Sequence, residues 1–295
     1  MKKIVIALGG NALLKKGQKP NFETQERNVK NVLGKLFILI KNNQVVITHG
    51  NGPQAGYLLL KQEVPLDLVD AETEGQIGYL IQQNLLNLFL RNNIKRDIVT
   101  ILTQVLVDSE DGAFKNPSKF IGPFYTKSQA DKLRKKFKVE KDSNRGWRRV
   151  VASPKPIKII EDKIVKKLLY GKAVVIAGGG GGIPVVIGKK GFEGVECVVD
   201  KDLASEVLAS SINADELIII TDVPSVYLNY GKKNQKKLGK VNLKDLKKYF
   251  YEGHFSAGSM GPKIEAAIKF LENGGKKVII TDIDSIGKRW TLIVR

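Results

Sequence analysis

The sequence predicts an α/β protein: an open, mainly parallel sheet sandwiched between two layers of helices, a three-layer α/β/α arrangement. Three observations carry this. Short apolar runs alternate with segments whose apolar residues recur every three or four positions, the pattern of strands joined by crossover helices. Glycine clumps directly follow three of the apolar runs, where such sheets receive ligands outside the carboxyl ends of their strands. The chain has 295 residues, 42% of them hydrophobic, enough for one large core or two lobes.

The elements follow in order. Ile4–Leu8 reads as a buried strand ended by Gly9-Gly10-Asn11. Glu23–Lys41 reads as a helix, with Val29, Val32, Leu33 and Leu36 on one face. Val45–Thr48 is a second strand, stopped by His49-Gly50-Asn51-Gly52-Pro53, and a long helix covers Glu72–Arg91 with Ile77, Ile81, Leu85 and Leu88 in a stripe. Asp97–Leu102 is a further strand. From about 108 to 156 periodicity is weak and breakers are frequent, too long a stretch for a plain connection, and it reads as an inserted lid or small subdomain. The strand Lys172–Ala177 runs into five consecutive glycines, Gly178 to Gly182. A helix near Asp200–Ser211, a strand Glu216–Thr221, helices Leu243–Tyr251 and Pro262–Asn273 and a strand Lys277–Thr281 complete the order.

Composition narrows the function classes. One cysteine, Cys197, excludes a disulfide framework, and two histidines, His49 and His254, are too few for a typical zinc centre. No apolar run reaches the roughly 18 residues of a membrane helix. The chain starts directly on a strand-like run with no signal-peptide pattern, so a cytoplasmic protein is expected. The net charge is +19, concentrated in residues 132–149 and 232–248. Nine of the 49 basic residues are arginine. Base-edge readout leans on the arginine fork, so this lysine-heavy surface reads as a solvated face and no specific nucleic-acid partner is expected.

The three glycine turns suit anion binding, because glycine lets the backbone approach closely and turn N–H groups toward a ligand. No P-loop pattern is present. Gly50-x-Gly52-x-x-Ala55, with Asp67 and Asp70 downstream, matches the dinucleotide fingerprint, although Pro53 interrupts it. Lys201, between Asp200 and Asp202, and Lys263, after Ser259-Met260-Gly261-Pro262, stand at helix starts where an ammonium could neutralise a transferred phosphoryl group. Asp222 ends a strand and could reach a ribose or a metal, or merely cap a turn. His49 and His254 read as hydrogen-bonded structural residues. Trp147, among Arg145, Arg148 and Arg149, reads as an anchor of the lid.

These residues are where the sequence resembles a known family. Ala7-Leu8-Gly9-Gly10-Asn11-Ala12-Leu13, Ile47 to Gln54, Asn116-Pro117-Ser118-Lys119, Gly146-Trp147-Arg148-Arg149, Val199-Asp200-Lys201-Asp202, Thr221-Asp222-Val223 and Gly253 to Lys263 are similar to the carbamate kinases of the amino acid kinase superfamily, over nearly the whole chain. The resemblance implies the amino acid kinase fold and reversible phosphoryl transfer, ATP plus carbamate to ADP plus carbamoyl phosphate, commonly run toward ATP in arginine fermentation. It implies Lys119, Lys201, Asp202 and Lys263 as the catalytic group, with Asp202 orienting the lysines. Gly9, Gly10, Asn11, Gly50, Asn51, Gly179 and Gly180 would hold the carbamate and phosphoryl end. Asp222, Tyr227, Tyr230, Ala257, Gly258, Met260 and Gly261 would hold the nucleotide. Mg2+ is expected through the nucleotide phosphates, with no protein metal site.

The family also suggests a homodimer, and an N-terminal lobe (1–212, with the lid at 108–156) on the acceptor side facing a C-terminal lobe (213–295) on the nucleotide side. Two departures stand out. Pro224-Ser225 replaces the usual turn after Thr-Asp-Val, and residues 282–295 are shorter than usual, predicting a truncated last helix. Competing readings are a kinase for another small acid, a nicotinamide dehydrogenase and a nucleic-acid-binding protein.

Overall fold

In a computed structural model of the chain, the structure describes residues 1–14, 18, 21–61, 64–142, 146–256 and 258–295. Its centre is a sheet of eight strands: β1 (Lys3–Leu8), β2 (Gln44–His49), β3 (Ile98–Thr100), β4 (Val174–Ile176), β5 (Glu216–Thr221), β6 (Lys240–Asn242), β7 (Lys277–Asp282) and β8 (Thr291–Val294). Their order is β6-β8-β7-β5-β1-β2-β4-β3. The six strands from β7 to β3 are mutually parallel, and β8 runs antiparallel to β7.

The sheet is covered on both sides, which is why its strands read as continuous apolar runs. In β1, Val5 and Ala7 face one core, with Val46, Val175, Leu217 and Ile219, under the helices Asp162–Tyr170, Lys201–Ser211 and Met260–Glu272. Ile4, Ile6 and Leu8 face the other, with Val45, Ile47 and Ile218, under the helices Phe22–Asn42 and Leu66–Arg91. Each fully buried Ile or Leu contributes about 1.5–3 kcal/mol through removal of apolar surface from water, so the register Ile6 opposite Ile47 and Ile218 is strongly specified. Asn21 starts the first long helix by accepting from the Thr24 N–H at 3.0 Å.

A second sheet lies beside the first: Gly191–Gly194, Ile183–Gly188, Gln104–Val107 and Pro156–Ile159, in that order. From its last two strands, which pair antiparallel, the chain departs and returns around a small unit. That unit is the three-stranded sheet Lys119–Tyr125, Trp147–Val151, Val139–Lys141 and the helix Lys127–Leu133. Thr126 and Gln129 close a reciprocal capping box at the start of that helix. Strands of three to seven residues are too short to show a period, which is why 108–156 looked irregular in the sequence.

One expectation is corrected. Residues 283–290 are turns rather than a shortened helix, and Thr291–Val294 forms β8, filling the sheet between β6 and β7. Thr291 is buried; its Oγ1 accepts from the Val226 N–H at 2.8 Å and donates to the Leu238 carbonyl, so its hydroxyl secures the strand.

Candidate active site

The carboxyl ends of β1, β2 and β4 point the three glycine turns into one place. Gly10, Gly50, Asn51 and Gly180 line a cavity of about 260 Å3, together with Lys119 from the inserted unit and Lys201, Asp202, Gly258, Ser259 and Lys263 from the opposite side. A second cavity of about 320 Å3 adjoins it, lined by Asp222, Tyr227, Tyr230, His254, Ser259 and Met260 among others. Ser259 lines both.

The lysines are held by a pair of aspartates. Asp200 caps the Lys201–Ser211 helix, its Oδ1 accepting from the Asp202 and Leu203 N–H groups, while its Oδ2 accepts from Lys119 Nζ at 2.9 Å. Asp202, one residue into the helix, accepts from Lys201 Nζ at 2.5 Å and from Lys263 Nζ at 3.0 Å, one lysine on each oxygen. Its side chain is 3% exposed. Burial alone would push its carboxyl up, but the two ammonium groups outweigh that and hold it at about 2. Burial works against the Lys263 charge, yet Asp202, with Asp200 and Asp222 adding, keeps its pKa raised. Three ammonium groups over two carboxylates leave the cavity with an excess positive charge, suited to a transferred phosphoryl group.

Behind the cavity stands a second acidic pair. Glu74 accepts from the Gly179 N–H at 2.7 Å and from the Thr103 N–H at 3.0 Å, fixing the five-glycine turn from below. Asp70 accepts from Asn51 Nδ2 at 2.8 Å. Burial raises Asp70 to about 7 and Glu74 to about 8, against hydrogen bonds that pull both down. The turn needs glycine here: a Cβ on Gly180 would stand 2.3 Å from Asn51 Nδ2, one on Gly181 2.4 Å from the Val199 carbonyl, and both residues have positive φ.

The expected residues divide. Lys119, Lys201, Asp202, Lys263, Gly10, Gly50, Asn51 and Gly180 converge on the first cavity, joined there by Gly258. Asp222, Tyr227, Tyr230 and Met260 line the second, with the two tyrosine rings 5.8 Å apart. Gly9 and Gly50 spend their N–H groups on the carbonyls of Ile220 and Leu8, so neither donates to a ligand. Gly179 lies behind the turn on Glu74, and Gly261 gives its N–H to Ser256 at the start of its helix. Ala257 lies outside the described residues, and Asn11 is placed only by its backbone, in the turn after β1.

His49 is wholly buried and, depressed to about 4 by burial, stays neutral; its Nδ1 meets the Gly50 carbonyl at 3.4 Å and its Nε2 has no partner among the described residues. His254 is bonded to Asn229 and Glu252 at the second cavity. Trp147 carries the Arg134 guanidinium 4.3 Å above its ring, and Arg149 covers Phe137 at 4.1 Å, so the small unit is held by stacked arginines. Arg145 lies outside the described residues.

The sequence reading missed the part that four residues play here. Asp200 holds Lys119. Asp70, read there only as an acid downstream of the dinucleotide fingerprint, and Glu74 are buried carboxylates. Arg148 reaches the first cavity while bonded to the Gly122 carbonyl. A larger groove of about 490 Å3 opens elsewhere, on the face of the sheet at Ile4, Ile218, Ile279 and Trp290. Its ionisable groups neutralise one another, Lys2 and Lys277 on Glu216 and Lys35 on Asp284, and none of the three glycine turns after β1, β2 and β4 lines it.

Comparison with known proteins identifies the family. The sequence profile described as the amino acid kinase family matches residues 2–282. The carbamate kinase of Thermococcus kodakarensis is 46% identical, over the full length of both chains. Carbamate kinase 2 of Staphylococcus aureus is 45% identical, across 96% of this chain and 94% of that protein. The solved structure of carbamate kinase from Giardia lamblia bound to AMP-PNP superposes with a TM-score of 0.92 at 41% identity, covering 99% of this chain and 98% of that one. With the family profile, the full-length identity and the overall fold in agreement, the chain belongs to the amino acid kinase family and, within it, to the carbamate kinases.

Proposed function

We propose that this enzyme transfers a phosphoryl group reversibly between the nucleotide and carbamate: ATP plus carbamate to ADP plus carbamoyl phosphate, worked toward ATP as in arginine fermentation. One observation carries the reading: a buried Asp202 gripping two lysines, with a third lysine on Asp200, in a glycine-walled cavity that opens onto a tyrosine-lined one. Carbamate already carries an anionic oxygen, so no general base is required, and the barrier lies in bringing two anions together. Lys201 and Lys263, fixed on opposite oxygens of Asp202, spread positive charge across the transferred group, and Lys119 adds a third contact from the inserted unit. Fixed ammonium groups need no reorganisation as charge develops, the property that makes such sites effective.

In this reading residues 1–212 bind the acceptor, with 108–156 as a lid, and 213–295 bind the nucleotide, whose base and ribose meet Tyr227, Tyr230 and Asp222. Mg2+ fits as a companion of the nucleotide. Asp200 and Asp202 are engaged by lysines, and no three His, Cys, Asp or Glu side chains converge as a ligand set among the described residues. The ion would take the phosphates as ligands and offset their charge. A homodimer in the cytoplasm completes the proposal; on the long helix Leu85 and Phe89 are core, whereas Leu86 and Leu90 face outward as an apolar contact surface. No helix among the described residues is long and apolar enough to cross a membrane.

The test is ATP formation from ADP, Mg2+ and carbamoyl phosphate. Wild-type turnover, with a loss of about 10²–10³-fold in Lys263→Ala, supports the reading. Turnover that survives in Lys263→Ala, or a wild type that binds ADP but uses only other acyl phosphates, overturns it.

A further inference from the structure

Asn51 sits at the floor of the first cavity, 4% exposed, and its amide has one permitted orientation. Thr73 Oγ1 donates its single proton to the Val69 carbonyl at 2.7 Å, one turn back along its own helix. What remains of that hydroxyl toward Asn51 is a lone pair, so the atom 3.0 Å away must be a donor, Nδ2. The other Nδ2 proton goes to Asp70 Oδ1 at 2.8 Å. Thr73 and Asp70 are 0% and 1% exposed, leaving water no way to replace either partner. With both amide protons consumed on the helix side, the group that Asn51 has left for the cavity is Oδ1, an acceptor with no donor among the described residues. Gly180 packs against the same amide, where a Cβ would overlap it.

We propose that Asp70 and Thr73 lock Asn51 as an acceptor-only reader of an N–H group, so that the site selects an acyl phosphate bearing an amino group over its methyl isostere. This rests on the phosphoryl-transfer reading and adds the basis of its substrate choice. The amino group of carbamate donates to Asn51 Oδ1, whereas the methyl group of acetate occupies the same volume and leaves that oxygen desolvated and unpaired. Sites built around a hydrogen bond reject analogues lacking the partner far more strongly than sites built on shape. Asn51 touches the substrate; Asp70 and Thr73 act through it as positioning residues.

The experiment measures discrimination rather than rate. Acetyl phosphate is tested against carbamoyl phosphate, both as alternative phosphoryl donor to ADP and as competitive inhibitor. In either case the acyl O–P bond breaks, the phosphoryl group passes to the terminal oxygen of ADP, and the carboxylate leaves. Wild type should favour carbamoyl phosphate. Asp70→Asn, which offers an amide where the carboxylate forced one orientation, should reduce that preference at least 10-fold, and Thr73→Val should reduce it about 3–10-fold. Thr73→Ser, which keeps the hydroxyl, should restore it.

A general loss of structure lowers turnover of both donors together and leaves their ratio alone. A ratio within 2-fold of wild type in both Asp70→Asn and Thr73→Val overturns the proposal. Should acetyl phosphate neither react with nor inhibit wild type, its acquisition of inhibition in Asp70→Asn supports the lock and continued exclusion overturns it. A wild type that makes no ATP from carbamoyl phosphate instead removes the underlying functional reading, a separate and recognisable failure.

Discussion

Asp202 and the pair Asp70 and Glu74 are all buried beside the same glycine-walled cavity, yet their carboxyls are shifted in opposite directions. Asp202 and its neighbour Asp200 are wrapped by three ammonium groups, and Asp202 stays ionised down to about 2. The other two meet only amide and hydroxyl donors, and burial carries Asp70 to about 7 and Glu74 to about 8. Desolvation acts on both; a full opposite charge within hydrogen-bond distance reverses it and a dipole does not. The cavity thus has one wall where lysines hold an ionised Asp202 and another where Asp70 and Glu74, shifted upward, shape the turn and Asn51.

The contrast can be broken most severely at Asp202. Asp202→Asn leaves Lys201 and Lys263 without a common anion and should lower phosphoryl transfer by about 10²–10³-fold, measured as ATP formation, while far-ultraviolet circular dichroism stays native. A loss under 3-fold would mean the lysines need no anchor.

The pH dependence of stability separates the pairs next. Glu74 in the folded state titrates near 8 against an ordinary 4.5, so between those values the native state holds a proton the unfolded chain has released, and stability falls as pH rises through the window. Asp202 has the opposite sign: titrating near 2 against 3.8, it contributes stability above about 4 that is lost as pH falls toward 2. Urea midpoints at pH 5.5 and 8.5 should draw together in Glu74→Gln, which mimics the protonated acid, and should remain apart in Asp202→Asn. The smallest effect belongs to an ion pair in water. Lys276, with its side chain 77% exposed, meets Asp215 at 2.6 Å, and Lys276→Ala should move Tm by no more than about 1–2 °C.

Much of this was legible in the sequence because the signals were local. The strand Glu216–Thr221 and the helix Leu243–Tyr251 have the bounds their patterns predict, and the three glycine turns follow their strands. The buried acidic pair was legible too, had the helix stripe been carried backward. From Leu85, Ile81 and Ile77 the same buried face continues to Glu74 and Asp70, and a carboxylate on an apolar stripe is a buried carboxylate. Other features depend on chain segments far apart. Lys119 and Asp200 are 81 residues apart, and no local period reports their contact. The four-stranded second sheet and β8 were missed because strands of four to six residues mixing glycine, charge and apolar side chains resemble loops until they are paired.

The antiparallel pairing of Val107 with Pro156 brings the two ends of the inserted unit side by side. The unit therefore attaches at one point, like a cassette plugged into a chassis, and its internal length costs the host little closure entropy. Of the three lysines, the host supplies Lys201 and Lys263 and the cassette supplies Lys119. Such a joint lets the lysine delivered from the inserted unit be exchanged through evolution while the sheet and the glycine turns beneath stay as they are.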